Sequence, residues 1–140
     1  MILVDSCVII DVLENDPRWG GWSQRQLESA ALTHVLAVNA VIYAEISVGF
    51  SRIEQVEALL KQTQIAVEAI PREALFLAGK AFARYKARGG TRTRTRTSAL
   101  PDFFIGAHAA VLGIPLLTRD VGRYTGYFPT LELIAPEKQE

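Results

Sequence analysis

The sequence holds a single cysteine, Cys7, and only two histidines in 140 residues. One cysteine excludes an internal disulfide framework and fits a reducing compartment. With so few histidines the chain also lacks the ligands of an ordinary structural zinc site, which leaves carboxylates as its only abundant metal ligands. Net charge is missing too, since 15 basic residues balance 15 acidic ones. That excludes a histone-like protein holding nucleic acid by bulk charge, although not a local basic patch. The longest uncharged apolar run, Phe103 to Leu117, contains His108 and Pro115 and falls short of the roughly 20 residues needed to cross a bilayer. At the start, Met1-Ile2-Leu3-Val4-Asp5 puts an acid where a signal peptide would continue its apolar region. A soluble cytoplasmic protein is expected, with no membrane partner. There is no Walker-type Gly-Lys loop and no serine in a G-x-S-x-G context. Asp5-Ser6-Cys7 lacks the second acid of a D-x-D phosphatase motif.

What is present is enough apolar material for a core: 49% of residues are hydrophobic and 21% charged. The length suits one domain, residues 1–140, with no repeat or linker. Short apolar runs at residues 2–4, 35–38, 65–67 and 116–118 read as strands, with a fifth within 131–134. Segments of helical period lie at 7–14, 22–32, 40–50, 53–62, 71–87 and 101–112. Pro71 and Pro101 suit first-turn positions, and Gly89-Gly90 and Gly113 suit helix ends. The alternation predicts an α/β domain with a mainly parallel central sheet.

Four acids break the local pattern. Asp5 follows the first strand and Asp120 the fourth, at the strand ends where parallel sheets bind ligands. Either is equally at home as a helix N-cap. Glu45 stands among Val41, Ile42, Ile46 and Gly49 on one helical face, which places a carboxylate in a buried stripe. There it needs a proton or a cation, and a salt bridge to a basic side chain is the simpler partner. Asp102 follows Pro101 and leads a face through Ile105, Gly106, Ala109 and Leu112, at the positive end of its helix, where a dipole-stabilised carboxylate is common. Together the four suggest a clustered acidic pocket, which repels itself unless a cation neutralises it. Oxygen-only ligands favour Mg²⁺ or Mn²⁺, and ions so held serve phosphodiester hydrolysis.

These residues resemble the PIN-domain family, and most of all its VapC-type toxin ribonucleases. The resemblance rests on the apolar strand with Asp5-Ser6, on Ala44-Glu45-x-x-x-Gly49, on the block from Pro101-Asp102 to His108-Ala109, and on Leu117-Thr118-Arg119-Asp120. It extends through Gly122-Arg123-Tyr124 and Tyr127-Phe128-Pro129. It implies a PIN-like three-layer α/β/α fold and an endoribonuclease in which Asp5, Glu45, Asp102 and Asp120 are catalytic. Asp5, Asp102 and Asp120 would hold Mg²⁺ or Mn²⁺, Glu45 would orient water or bind a second ion, and Ser6 and Thr118 would support the carboxylates. It further implies an RNA substrate, a VapB-type antitoxin and a homodimer. Cys7 and Asn39 depart from the residues common at those positions. The competing readings are a PIN-type RNA-processing nuclease without an antitoxin and a non-catalytic RNA- or protein-binding module. Four mutually repelling acids argue against the module.

No acid occurs between Glu73 and Asp102, whereas Lys80, Arg84, Lys86, Arg88, Arg92, Arg94 and Arg96 do. Arg88, Arg92, Arg94 and Arg96 are therefore candidate RNA contacts, against the alternative of a solvated loop. Trp19 and Trp22 read as packing residues in preference to base-stacking platforms. His108 lies about 240° around the helix from Asp102 and reads as structural. Asp11 reads as a solvated or salt-bridged surface acid, and Cys7 as a small packing residue.

Overall fold

The run Ile2-Leu3-Val4 has no polar alternation because it is buried on both sides: it forms β1 (Ile2–Val4), the middle strand of the sheet. The computed structural model describes residues 1–89 and 96–137, and for residues 96–98 the backbone alone. Four further strands, β2 (Leu36–Val38), β3 (Ala66–Val67), β4 (Leu116–Leu117) and β5 (Leu133–Ile134), complete a parallel sheet in the order β3-β2-β1-β4-β5. Leu3 pairs with Ala37 on one side and with Leu116 on the other. Among the described residues seven helices accompany the strands: α1 (Ser6–Leu13), α2 (Gly20–Ala31), α3 (Ala40–Ser47), α4 (Ile53–Thr63), α5 (Arg72–Ala87), α6 (Arg96–Leu112) and α7 (Gly122–Tyr127). The result is the expected three-layer α/β/α fold.

The strand order fixes where a site can form. The chain builds outward from β1 through β2 to β3, then returns across the sheet to place β4 on the other flank of β1. Loops leaving β1 and β4 diverge, and the crevice between them opens at the strands' carboxyl ends. Asp5 leaves β1 there, its amide donating to the Leu117 carbonyl at 2.9 Å.

Two helices depart from the sequence-based expectation. α6 begins at Arg96, so Pro101 lies inside it and not in its first turn. Ala99, fully buried, packs this early stretch into the protein, and the proline forgoes one backbone hydrogen bond. α7 was not expected at all, because a six-residue stretch with two glycines carries no apolar period. Tertiary packing makes it. Tyr124 and Phe128 are buried against Gly106 of α6, where an added Cβ would lie 2.6 Å from the Phe128 ring and 3.0 Å from that of Tyr124. Phe103 stands at the centre of the adjoining aromatic cluster, with ring centroids 5.1 Å from Tyr127, 5.6 Å from Tyr85 and 6.0 Å from Phe82. These rings bind α5, α6 and α7 together.

Candidate active site

Asp5 is both the N-cap of α1 and the most enclosed of the four acids. Its Oδ1 accepts from the Ser6 amide at 2.8 Å, and its Oδ2 accepts from the Thr118 hydroxyl at 2.8 Å and the Tyr124 hydroxyl at 2.9 Å. Burial pushes its carboxyl above the usual carboxylate range, although the three donors act in the opposite direction, and the charge of Asp120 adds to the rise.

Glu45 and the Asp120 backbone are tied to Asp5 through Ser6 and Thr118, and Asp102 is tied to it through neighbouring residues of α7. The Ser6 hydroxyl donates to Glu45 Oε1 at 2.9 Å. The Asp120 amide donates at 3.1 Å to the same Thr118 oxygen that binds Asp5. Consecutive residues of α7 reach two acids at once, Tyr124 to Asp5 and Arg123 to Asp102, with Arg123 Nη1 at 2.9 Å from Asp102 Oδ2. Burial, then Asp5, raise the Asp102 carboxyl to about 6 against the opposing pull of Arg123. Glu45 is raised by burial, with Asp5 and Asp102 adding and the Ser6 bond opposing. Asp120 is exposed, and its Oδ1 lies 3.1 Å from where a Cβ on Gly122 would stand, so glycine there leaves the carboxylate its room.

Sequence reasoning named the four acids but misjudged two of their settings. Glu45 is half-buried at the rim of its helical face and not within the stripe, and its partner is the Ser6 hydroxyl in place of a basic side chain. Asp102 sits in the second turn of α6, because the helix starts upstream, so its counter-charge is Arg123 and not the helix end. Tyr124 and Arg123 were missed as site residues, since only the packing of α7 on Gly106 brings them there. Asp11 is salt-bridged as one reading had it, yet it is buried and not at the surface. Arg119 Nε and Nη2 grip it at 2.6 and 3.0 Å and the Ser23 hydroxyl donates at 2.9 Å. So neutralised, Asp11 belongs to the scaffold and holds the loop carrying Thr118 and Asp120.

His108 is fully buried, with Nδ1 3.1 Å from the Asn39 amide nitrogen. Asn39 Oδ1 in turn caps α3 through the Ile42 amide at 3.0 Å. Cys7 Sγ lies 3.5 Å from the Thr118 hydroxyl, and burial pushes its thiol up to about 11. Arg88 is exposed, with its guanidinium 5.0 Å from the Tyr127 ring centroid. Arg92 and Arg94 lie outside the described residues. Arg96 opens α6, with its side chain outside them too.

The donor set suits a hard divalent cation, being all oxygen, and Asp5, Glu45 and Asp102 are raised, mutually repelling carboxyls that a cation would relieve. Among the described residues no three acidic, histidine or cysteine side chains already converge to hold one. Asp102 spends its charge on Arg123. Metal binding here would have to draw the carboxylates together.

Among curated protein sequences, nothing matches this chain. Solved structures do. The chain superposes on VapBC2 of Rickettsia felis, crystallised with a DNA fragment from its promoter, with a TM-score of 0.70 at 17% identity, covering 98% of this chain and 100% of that one. A toxin–antitoxin complex from Klebsiella pneumoniae gives 0.67 at 21% identity, covering 99% and 100%. VapBC-1 of nontypeable Haemophilus influenzae gives 0.68 at 21%, covering 96% and 98%. At such identities the likeness is one of fold. The sequence profile of the PIN domain matches residues 2–123, nearly the whole described chain, and the protein belongs to the PIN-domain family.

Proposed function

We propose that this chain is a metal-dependent endoribonuclease, a single domain over residues 1–140 that hydrolyses RNA phosphodiester bonds as the toxin of a toxin–antitoxin pair. The observation that carries the reading is the linkage of Asp5, Glu45, Asp102 and Asp120, from four separate elements, through Ser6, Thr118 and the Arg123-Tyr124 pair. A binding module has no use for acids assembled at such electrostatic cost.

Asp5, Asp102 and Asp120 would hold Mg²⁺ or Mn²⁺, which when bound polarises a phosphate oxygen and acidifies the attacking water. The chain's own residues do the rest. Ser6, Thr118 and Tyr124 hold Asp5 in one orientation by donating to both of its oxygens. Ser6 also aims Glu45, whose carboxyl is raised by burial and so is a stronger proton acceptor for water than a free carboxylate. Arg123 neutralises Asp102 and sits where a scissile phosphate would meet a positive charge. Arg88, with Arg92, Arg94 and Arg96, supplies the local basic character for RNA in an otherwise neutral chain.

The VapBC complexes among the structures of like fold support a VapB-type antitoxin as partner, and the reading takes the chain to act as a homodimer in the cytoplasm. The test is cleavage of a total-RNA pool by the purified chain with Mg²⁺, with Mn²⁺ and with chelator, beside Asp5→Asn and Asp102→Asn. Metal-dependent cuts at discrete positions, lost in both variants, are expected. Equal cutting by wild type and variants would overturn the mechanism. Growth arrest on expression, relieved by a co-expressed neighbouring antitoxin, tests the toxin role separately.

A further inference from the structure

We propose that the cavity walled by Trp19 and Trp22 is a nucleobase subsite, where the RNA strand lays a base beside the one being cut. The inference rests on the nuclease reading and extends it to a part of the surface that none of the four acids touches. The cavity measures about 690 Å³ and is bordered by Arg18, Trp19, Trp22 and Gln26 on one side and by residues 135–137 on the other. The two indoles meet edge to face, with centroids 6.1 Å apart and planes at 83°. Both remain half-buried, each with part of its ring open to solvent. The packing role expected from the sequence holds for Trp22, which rests on the core, and the structure in addition opens a space between the two rings and solvent.

On the tryptophan side of this space the unpaired charge is positive, whereas Glu137 puts an acid on the opposite wall. The Arg18 guanidinium stands 5.1 Å from the Trp19 ring centroid, is exposed, and has no carboxylate partner among the described residues. Asp16 Oδ2 takes the backbone amides of Arg18 and Trp19 at 3.0 and 2.6 Å, so the loop presenting them is held while the Arg18 side chain stays available. Arg119 lies 5.8 Å from the Trp19 ring on a guanidinium already fixed by Asp11. With cations over Trp19, the Trp22 ring is the surface left for stacking, and the Gln26 amide offers both a donor and an acceptor to a base edge.

Arg119 also connects the cavity to the chemistry. Its backbone falls between Thr118, which donates to Asp5, and Asp120, while its side chain crosses to Trp19. One short loop therefore serves both the acids and the indole wall. A single strand whose phosphate rests at the acids would be led along this loop toward the cavity, with Arg18 beside Trp19 to meet a further phosphate. Stacking of this kind accepts any base, so the subsite would add affinity and register more than sequence choice.

The experiment exploits the composition: the chain has two tryptophans, both in this cavity. An unlabelled single-stranded RNA oligonucleotide of mixed sequence is titrated into the Asp102→Asn chain with Mg²⁺ while tryptophan emission is read. Binding is followed in parallel by anisotropy of a labelled copy. Quenching that tracks the anisotropy is expected, with Trp22→Ala weakening binding roughly tenfold and Trp22→Phe retaining most of it. Far-ultraviolet circular dichroism checks that both variants are folded. RNA binding with unchanged emission and equal affinity in Trp22→Ala overturns the subsite and leaves the nuclease reading standing. Emission that responds to a protein partner but not to RNA overturns it as well. No RNA binding by this chain overturns the subsite, and cleavage absent in the wild type as well overturns both readings.

Discussion

Replacing Asp11 separates a surface ion pair from a buried one. As a surface pair with Arg119 it would contribute no more than about 1 kcal/mol, the usual range for solvent-exposed ions. The structure argues for more. The Asp11 carboxylate accepts two bonds from Arg119 and one from Ser23, and the residue is only 2% exposed. Removing one partner of a buried pair costs about 3–5 kcal/mol, chiefly because the other charge is left stranded. Here the Arg119 side chain is 30% exposed, so water recovers part of its solvation and lowers that range by about 1 kcal/mol. Asp11→Ala is expected to cost about 2–4 kcal/mol, including the lost Ser23 bond. For a chain of 140 residues this is a fall in Tm of roughly 6–12 °C. Urea unfolding with an unchanged m-value measures it, and the double-mutant cycle with Arg119→Ala isolates the coupling. A loss under about 1 kcal/mol, or a negligible coupling, would refute the buried-pair reasoning. Because the pair anchors residues 118–120, RNA cleavage should fall in the same variant well before the chain unfolds.

Gly106→Ala gains about 1 kcal/mol of helix propensity but drives a methyl into the Phe128 ring, at a cost of about 1–3 kcal/mol. A net loss of stability is expected in chemical denaturation, with a larger loss of cleavage as α7 carries Tyr124 and Arg123 away from Asp5 and Asp102. His108 is held neutral by burial, its pKa lowered from the ordinary 6.5. The unfolded chain therefore binds this proton first, so stability is complete above about pH 6.5 and declines as pH falls below it. Comparing the pH dependence of unfolding with that of His108→Gln tests this, since the variant should lose that part of the acid slope. Finally, Mg²⁺ or Mn²⁺ should raise the Tm of the wild type by ligand linkage and leave that of Asp102→Asn nearly unchanged in differential scanning calorimetry.

The sequence alone determined the layered α/β plan, because unalternated runs such as Ile2-Leu3-Val4 and Leu116-Leu117 suit strands covered on both faces, and the period between them suits helices. It also marked Asp5, Glu45, Asp102 and Asp120 as acids out of place, since a carboxylate at a strand end or within an apolar face carries a local cost that shows in the chain itself. What it could not hold was who neutralises whom. Arg123 lies 21 residues from Asp102, Tyr124 lies 119 from Asp5, and Arg119 lies 108 from Asp11. No periodicity relates such positions, and each pair exists only because α7 docks on the bare backbone of Gly106 and β4 lies beside β1. The start of α6 and the existence of α7 were likewise decided by burial of Ala99, Tyr124 and Phe128. Local patterning therefore wrote the strands, most helices and the list of acids, whereas tertiary packing chose their counter-charges, because a buried charge takes its partner from whatever the fold brings within hydrogen-bonding distance.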